Sequence, residues 1–387
     1  METKIYTDEK VITGINCITN KTQELVFKNG TLSHILATDS VEINNLLIGS
    51  GLIDLQINGI NGIDFNNPAL TPDQIIAATY YLLSKGVTTY LPTVITNSDE
   101  NILKIVQTIN NACLSDSLVN DCIWGIHLEG PFISPVAGAK GAHDEKYIKP
   151  PDWTLFQQFQ KAAGGRIKLI TIAPEWEGSY SFIKKCRENH ILVSIGHSLA
   201  NSENIRLAVA AGATLSTHLG NGVPLTLPRH PNVIWDQLST EELYACLITD
   251  GIHIPDSFIK VVIKSKAEKT LIVSDATCFA GMEPGEYQTH IGGTVTLNED
   301  KRVSVKNSPG LLAGAAKTLL ENVETLIDHN LASLSAAWQM ASVNVAAMLS
   351  KHDAIFSDKN DLVIFSLKGK EIQIETVIKR GVIVYKK

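Results

Sequence analysis

The sequence has few features that would fix a function cheaply. Aromatic residues make up 6% of its 387 positions, and no apolar run approaches the roughly 20 residues of a membrane-spanning helix. No Lys/Arg run exists and the formal net charge is −7, which excludes a nucleic-acid binder driven by phosphate contacts. The six cysteines, Cys17, Cys113, Cys122, Cys186, Cys246 and Cys278, form no CxxC pair and no regular framework. In a chain of this length that spacing predicts reduced thiols in a cytoplasmic compartment. The first residues, METKIYTDEKVITG, are charged and lack an apolar core, so no signal peptide is expected. No membrane partner and no nucleic-acid partner are expected; a small-molecule ligand is.

A Gly-rich phosphate loop is also missing. The first buried-type run, GLIDLQI, continues as NGINGIDF, without the GxGxxG spacing of a doubly wound dinucleotide fold. The middle of the chain alternates instead. GLIDLQI, VTTYLPTVI, DCIWGIHLEG, IKLITIAPE, ILVSIGHS, ATLSTHLG, ACLITDGIHI and TLIVSDAT read as eight strands, most of them separated by amphipathic helical stretches. Between the first two, Thr71 is expected to cap a helix with Pro72 in its first position, Ile75, Ile76, Leu82 and Leu83 on one face, and Gly86 ending it. Eight such units predict a (β/α)8 barrel of the TIM type over residues 50–355. Both chain ends are β-rich. Asn29-Gly30 marks a hairpin, and Gly369 and Gly381 divide the last 27 residues into three β-rich runs. Residues 1–49 and 356–387 are therefore expected to pair as a small β-sandwich.

In such a barrel the chemistry sits at the C-terminal ends of the strands. There the sequence places Glu129 (HLEG), His197 (GHS), His218 (THLG), His253 (DGIH) and Asp275 (SDAT). One carboxylate and two imidazoles, Glu129, His197 and His218, make a catalytic metal set that leaves a position open. Zinc is the expected ion, and iron, cobalt or manganese suit the same donors. Asp275 is then the general base that takes a proton from the attacking water and returns it to a departing amine. His127 is expected to face away from Glu129 and pack.

The series HLEGPF, IAPE, SIGHS, STHLGNGVP, TDGIH and VSDAT, in that order, resembles the N-acetylglucosamine-6-phosphate deacetylase family of the amidohydrolase superfamily, from about residue 45 to the C-terminus. The resemblance implies metal-dependent hydrolysis of an acetamido sugar phosphate to acetate and the free amine. It implies that His253 touches the sugar, that Asn221 and Gly222 meet the phosphate, and that Arg229 binds phosphate, serving the neighbouring subunit of a homodimer in relatives. It also implies a loop, AGAKGAH, over the site, with Ala142 and His143 near the substrate, and an acetyl pocket lined by the backbone of Leu312 and Ala313.

Three departures stand out. Where many amidohydrolases end the first strand with His-x-His, this chain has Gln56 and Asn58, poor zinc ligands, which predicts one tightly bound metal and leaves Gln56 and Asn58 to bond water or substrate. Gly220 and Gly222 replace bulkier residues and are expected to make their loop roomier, and Ala315 stands where relatives often carry serine. Trp235 is expected to pack, and Cys278 to be inert beside Asp275. Two rivals remain: a deacylase for another N-acyl amine, and a barrel that has lost its metal and serves assembly. The second would be expected to lack a ligand or the base.

Overall fold

The computed structural model describes residues 9–38, 45–289, 293–306, 308–353 and 356–387. All eight expected strands are present: β1 (Leu52–Ile57), β2 (Val87–Ile95), β3 (Ile126–Glu129), β4 (Ile167–Ile172), β5 (Leu192–Ile195), β6 (Leu215–Ser216), β7 (Tyr244–Leu247) and β8 (Thr270–Ile272). They pair in parallel in sequence order. A single bridge, Ile57 to Ala276, joins β1 to the chain leaving β8 and closes the ring. Leu91, Leu169, Leu192, Leu215 and Leu271 fill the interior, and Val345, Met348 and Leu349 of the helix Val343–His352 join this cluster.

Local chemistry accounts for the alternation. Helix Pro72–Ser84 begins with a capping box in which Thr71 and Gln74 each satisfy the other's backbone N–H. Ile75, Leu82 and Leu83 on its inner face are fully buried and Ile76 is half-buried. The helix Leu319–Asp328 after β8 starts with the same device, Thr318 with Glu321.

The two ends meet as expected, in a different closure. Strands Glu9–Asn16, Thr22–Lys28, Thr31–Ala37 and Leu47–Ser50 join Leu362–Lys368, Glu371–Lys379 and Val382–Lys386 in one sheet that closes on itself as a small barrel, with Leu25, Phe27, Ile48, Ile364 and Ile378 inside. The hairpin at Asn29-Gly30 is present, both residues at positive φ (52° and 78°), and Arg380-Gly381 repeats it at 48° and 82°. The sheet closes because Ile15 and Asn16 pair in parallel with Leu47 and Ile48, which ties its two edges together.

This unit is pinned to the large barrel by buried contacts. Trp338 donates its indole N–H to Ser50 O at 2.9 Å and stacks on Phe365 at 4.5 Å. Lys379 Nζ reaches Asp361 Oδ2 at 2.6 Å and Thr89 Oγ1, on β2, at 3.1 Å. A four-stranded antiparallel sheet, Gly285–Gln288, Thr294–Leu297, Val303–Val305 and Ser308–Leu312, lies between β8 and the helix at 319–328. The amino-acid pattern gives no sign of it: its strands are three to five residues long, too short for alternation to stand out. Among the described residues no helix is long and apolar enough to cross a membrane.

Candidate active site

Glu129 is the last residue of β3, while His197, His218 and Asp275 stand just past the ends of β5, β6 and β8. Three of the four hold left-handed backbone: His197 at φ 50°, His218 at 28° and Asp275 at 48°. A non-glycine residue there carries strain of about 1–3 kcal/mol, which the surrounding barrel must hold in place. The strained turns bring His197 and His218 onto Glu129 and place Asp275 one amide away from it.

The result is a tight convergence. Nε2 of His218 lies 3.0 Å from Nε2 of His197 and 3.1 Å from Glu129 Oε1, and His197 Nε2 lies 3.3 Å from the same oxygen. The outer nitrogen of His197 donates to the carbonyl of Ala139 at 2.8 Å. That bond leaves the Nε2 lone pair of a neutral His197 facing the cluster, the arrangement that metal-binding imidazoles use. Three donor atoms at these mutual distances suit an ion about 2.0–2.2 Å from each. A divalent cation therefore fits this set.

His143 adds a third imidazole. Its ring stands edge-on to His197 at 4.5 Å, its Nδ1 meets Thr96 Oγ1 at 2.8 Å, and Glu129, His143 and His197 offer ligand atoms within 4.8 Å of one another. The sequence put His143 only near the substrate; its place beside the donors depends on how the loop 137–143 folds back, which spacing does not reveal.

Asp275 is joined to the donor set through an amide. Gln56 Nε2 donates to Glu129 Oε1 at 2.9 Å and to Asp275 Oδ1 at 3.0 Å, and Asn58 Nδ2 donates to Asp275 Oδ1 at 2.7 Å. Both amides thus turn N–H groups, not lone pairs, toward the carboxylates. The Gln56 amide nitrogen, expected to be open to water or substrate, is engaged by the two acids.

Burial sets the electrostatics. It lifts the Asp275 carboxyl, helped by the charge of Glu129 and opposed by His218, His253 and Asn58, to about 6. For Glu129 burial acts in the same sense, but hydrogen bonds from His197 and His218 overcome it and hold the group well below the usual carboxylate range. Burial would depress His218, yet the Glu129 hydrogen bond and the charges of Glu129 and Asp275 carry it above an ordinary histidine. His143, buried and near His197, is pushed down to about 3 and stays neutral.

Several expectations change here. His127 does not turn away: residues two apart on a strand share a face, and its Nε2 meets Thr171 Oγ1 at 2.7 Å in a buried chain running on to Thr217 and Ser194. The glycines do not make room. A β-carbon on Gly220 would come within 2.9 Å of the Phe258 ring, and one on Gly222 within 2.9 Å of His197 and 3.0 Å of His218. Trp235 is not packed; it is 53% exposed and borders an outer cavity of about 560 Å³ with Leu238 and Lys266. Burial lifts the Cys278 thiol to about 12, so it is inert as expected.

The remaining predicted residues lie around the rim. His253 is largely buried and bonded to Asp250. Ala142 is exposed at the tip of the loop whose Ala139 holds His197. Asn221 and Gly222 follow His218 in a tight turn, Asn221 N donating to His218 O at 2.9 Å. Leu312 and Ala313 are half-buried at the end of the strand Ser308–Leu312, and the Ala313 N–H donates to Val303 O, so it is not free for an acetyl group. Arg229 is exposed and has no ion-pair partner among the described residues.

No family model matches the chain. Curated relatives do. An N-acetylglucosamine-6-phosphate deacetylase of Haemophilus influenzae is 31% identical over 360 residues, covering 91% of this chain and 90% of the relative. One from Bacillus subtilis is 30% identical over 342 residues, covering 87% and 84%. The chain belongs to the N-acetylglucosamine-6-phosphate deacetylase family. Among solved members, the deacetylase of Pasteurella multocida superposes with a TM-score of 0.82 at 26% identity, over 97% of this chain and 99% of that one. A Mycobacterium smegmatis deacetylase bound to N-acetyl-D-glucosamine-6-phosphate shares the fold, with a TM-score of 0.83 at 21% identity. In this family setting the barrel, the β unit from both ends and the Glu/His/His cluster form one consistent pattern.

Proposed function

We propose that the chain hydrolyses the N-acetyl group of N-acetylglucosamine 6-phosphate, giving glucosamine 6-phosphate and acetate. The observation that carries this is the convergence of Glu129 Oε1, His197 Nε2 and His218 Nε2 within 3.3 Å of one another, with Asp275 linked to them through Gln56. A divalent cation held by those three atoms, zinc by preference, supplies Lewis acidity: it polarises the amide carbonyl and makes water acidic near neutral pH.

The chain's own groups do the rest. Asp275 takes a proton from the attacking water as its oxygen adds to the acetyl carbon. It then gives that proton to the sugar nitrogen as the C–N bond breaks, so the amine departs neutral; the water's second proton stays on the acetyl carboxyl, which leaves as acetic acid and ionises to acetate in solvent. Burial lifts this carboxyl above the ordinary aspartate range, which favours its role as a proton carrier in both transfers. Asn58 and Gln56 hold the carboxylate in place through both steps. His253 orients the sugar, Leu312 borders the acetyl group, and His143 and Ala142 lie over the ring. Asn221 and Gly222 receive the phosphate. Arg229, exposed and without an ion-pair partner among the described residues, reaches the phosphate in a second subunit, which makes the working form a homodimer.

The test is deacetylation of N-acetylglucosamine with and without the 6-phosphate, by enzyme of known metal content. Strong preference for the phosphorylated sugar, lost in Arg229→Ala as a raised KM, supports the reading. Equal rates on both sugars would leave a deacylase of another N-acyl amine. A purified chain inert on both, even when refilled with metal, would leave the scaffold.

A further inference from the structure

The turn after β7, Thr249 to His253, is built around one carboxylate. Asp250 is 1% exposed and accepts three hydrogen bonds: Ile252 N at 2.8 Å and His253 N at 2.9 Å on Oδ1, and His253 Nδ1 at 2.7 Å on Oδ2. Burial works against its charge, but the His253 bond and the two backbone N–H groups hold the carboxyl below its ordinary range. An ionised carboxylate has no proton to give. The atom facing Oδ2 must therefore be an N–H, which fixes the Nδ1–H form of His253 and leaves Nε2 as the polar atom free to meet a ligand.

The rest of the turn is held as firmly. Thr249 N donates to Asn322 Oδ1 at 2.7 Å, and Asn322 Nδ2 donates to Thr318 O at 3.0 Å, at the start of the helix Leu319–Asp328. Gly251 takes φ +76°, and a β-carbon there would press within 3.0 Å of His329 at the far end of that helix. On the other side, His253 acts electrostatically on Asp275. His143 differs: its Nδ1 faces the Thr96 hydroxyl, which either donates or accepts and so dictates no tautomer.

We propose that Asp250 is a positioning residue: it fixes the tautomer of His253 and aims Nε2 at the substrate beside Asp275. A carboxylate partner also steadies the ring whenever Nε2 carries a proton toward a substrate oxygen. The inference rests on the reading that His253 meets the sugar.

Asp250→Asn tests it. Its Oδ1 can still accept from Ile252 and His253, so the turn survives, but its NH₂ faces Nδ1 and forces the ring proton onto Nε2. We expect kcat/KM to fall by about 10–100-fold, with metal content and Tm near those of the parent and an altered pH–rate profile. His253→Asn should fall comparably, and the double variant should be no worse than His253→Asn alone. Losses that multiply in the double variant, or Asp250→Asn at parental rate with an unchanged profile, overturn the proposal. If His253→Asn alone is silent, the substrate role of His253 falls with it; if His253→Asn is damaging and Asp250→Asn silent, only the Asp250 proposal falls. Should Asp250→Asn fail to fold, ¹⁵N spectra of the parent decide: Nδ1 of His253 stays protonated, and an Nε2–H neutral form overturns the claim.

Discussion

Gly222 presses against His197: a β-carbon at that position would lie 2.9 Å from the ring nitrogen that donates to Ala139. Its φ of +61° adds backbone strain for any L-residue. Gly222→Ala must therefore shift the rings of His197 and His218. We expect metal affinity and kcat/KM to fall together by about 10-fold or more, measured by metal analysis after dialysis and by deacetylation rates. Full metal content at parental activity would show that the loop yields and the contact is unimportant.

Asp275→Asn separates base from ligand. The amide cannot take the water's proton, so kcat should fall by about 10²–10⁴-fold while the metal stays bound. His197→Ala should lose both, because it removes a donor atom. A near-normal kcat in Asp275→Asn would remove Asp275 from the role of base.

The same carboxyl sets the acid limb of the pH profile. Asp275 is lifted to about 6 by burial and by the charge of Glu129, against an ordinary 3.8. The folded chain thus binds this proton more tightly than the unfolded chain. Its contribution to stability is present at acid pH and is lost as pH rises through about 6, and the ionised form needed for catalysis appears over the same range. A bound cation favours ionisation, so at saturating metal kcat should fall on the acid side with an apparent pKa at or below about 6, and the metal-free chain should show the higher value in its stability profile. A kcat that stays flat down to the ordinary aspartate value of 3.8 would contradict this.

Much of this site was legible because barrels place chemistry at strand ends. The eight apolar runs could be counted, and Glu129, His197, His218, His253 and Asp275 fell where each run stopped. The hairpin at Asn29-Gly30 and the helix start at Thr71-Pro72 followed from backbone chemistry that acts locally. What escaped were facts about neighbours distant in sequence. Phe258 fills the space beside Gly220, and the rings of His197 and His218 fill that beside Gly222, so what looked like room was contact. His143 joins the donors only because loop 137–143 folds back onto His197. The sheet at 285–312 is made of strands too short to announce themselves. His127 shares the face of Glu129 for a simpler reason, the period of two along a strand.

Metal stoichiometry tests the two amides. Gln56 and Asn58 direct N–H groups at Glu129 and Asp275, so neither offers a lone pair there. Titration of the metal-free chain should saturate at one divalent ion per chain. Restoring both imidazoles, Gln56→His with Asn58→His, should open a second position and raise the endpoint toward two. Two ions in the parent would mean that the amides rotate to present their oxygens, which sinks the one-metal reading.

A buried ion pair within the small barrel, Lys379 with Asp361, stands at the joint with the large one, where Lys379 also reaches Thr89. Lys379 and Asp361 are 5% and 2% exposed at 2.6 Å, and Asp361 also accepts from Arg380 N at 2.8 Å. Burial lifts the Asp361 carboxyl, and Lys379 opposes that shift. Lys379→Met leaves the carboxylate buried without its partner, a loss of about 3–5 kcal/mol. Removing both charges, Lys379→Met with Asp361→Leu, should recover most of that loss, because two desolvation penalties vanish with the attraction. Urea unfolding reads the difference. A single variant no weaker than the double would mean that water reaches Asp361 once Lys379 is gone, and that the contact holds the joint by shape rather than by charge.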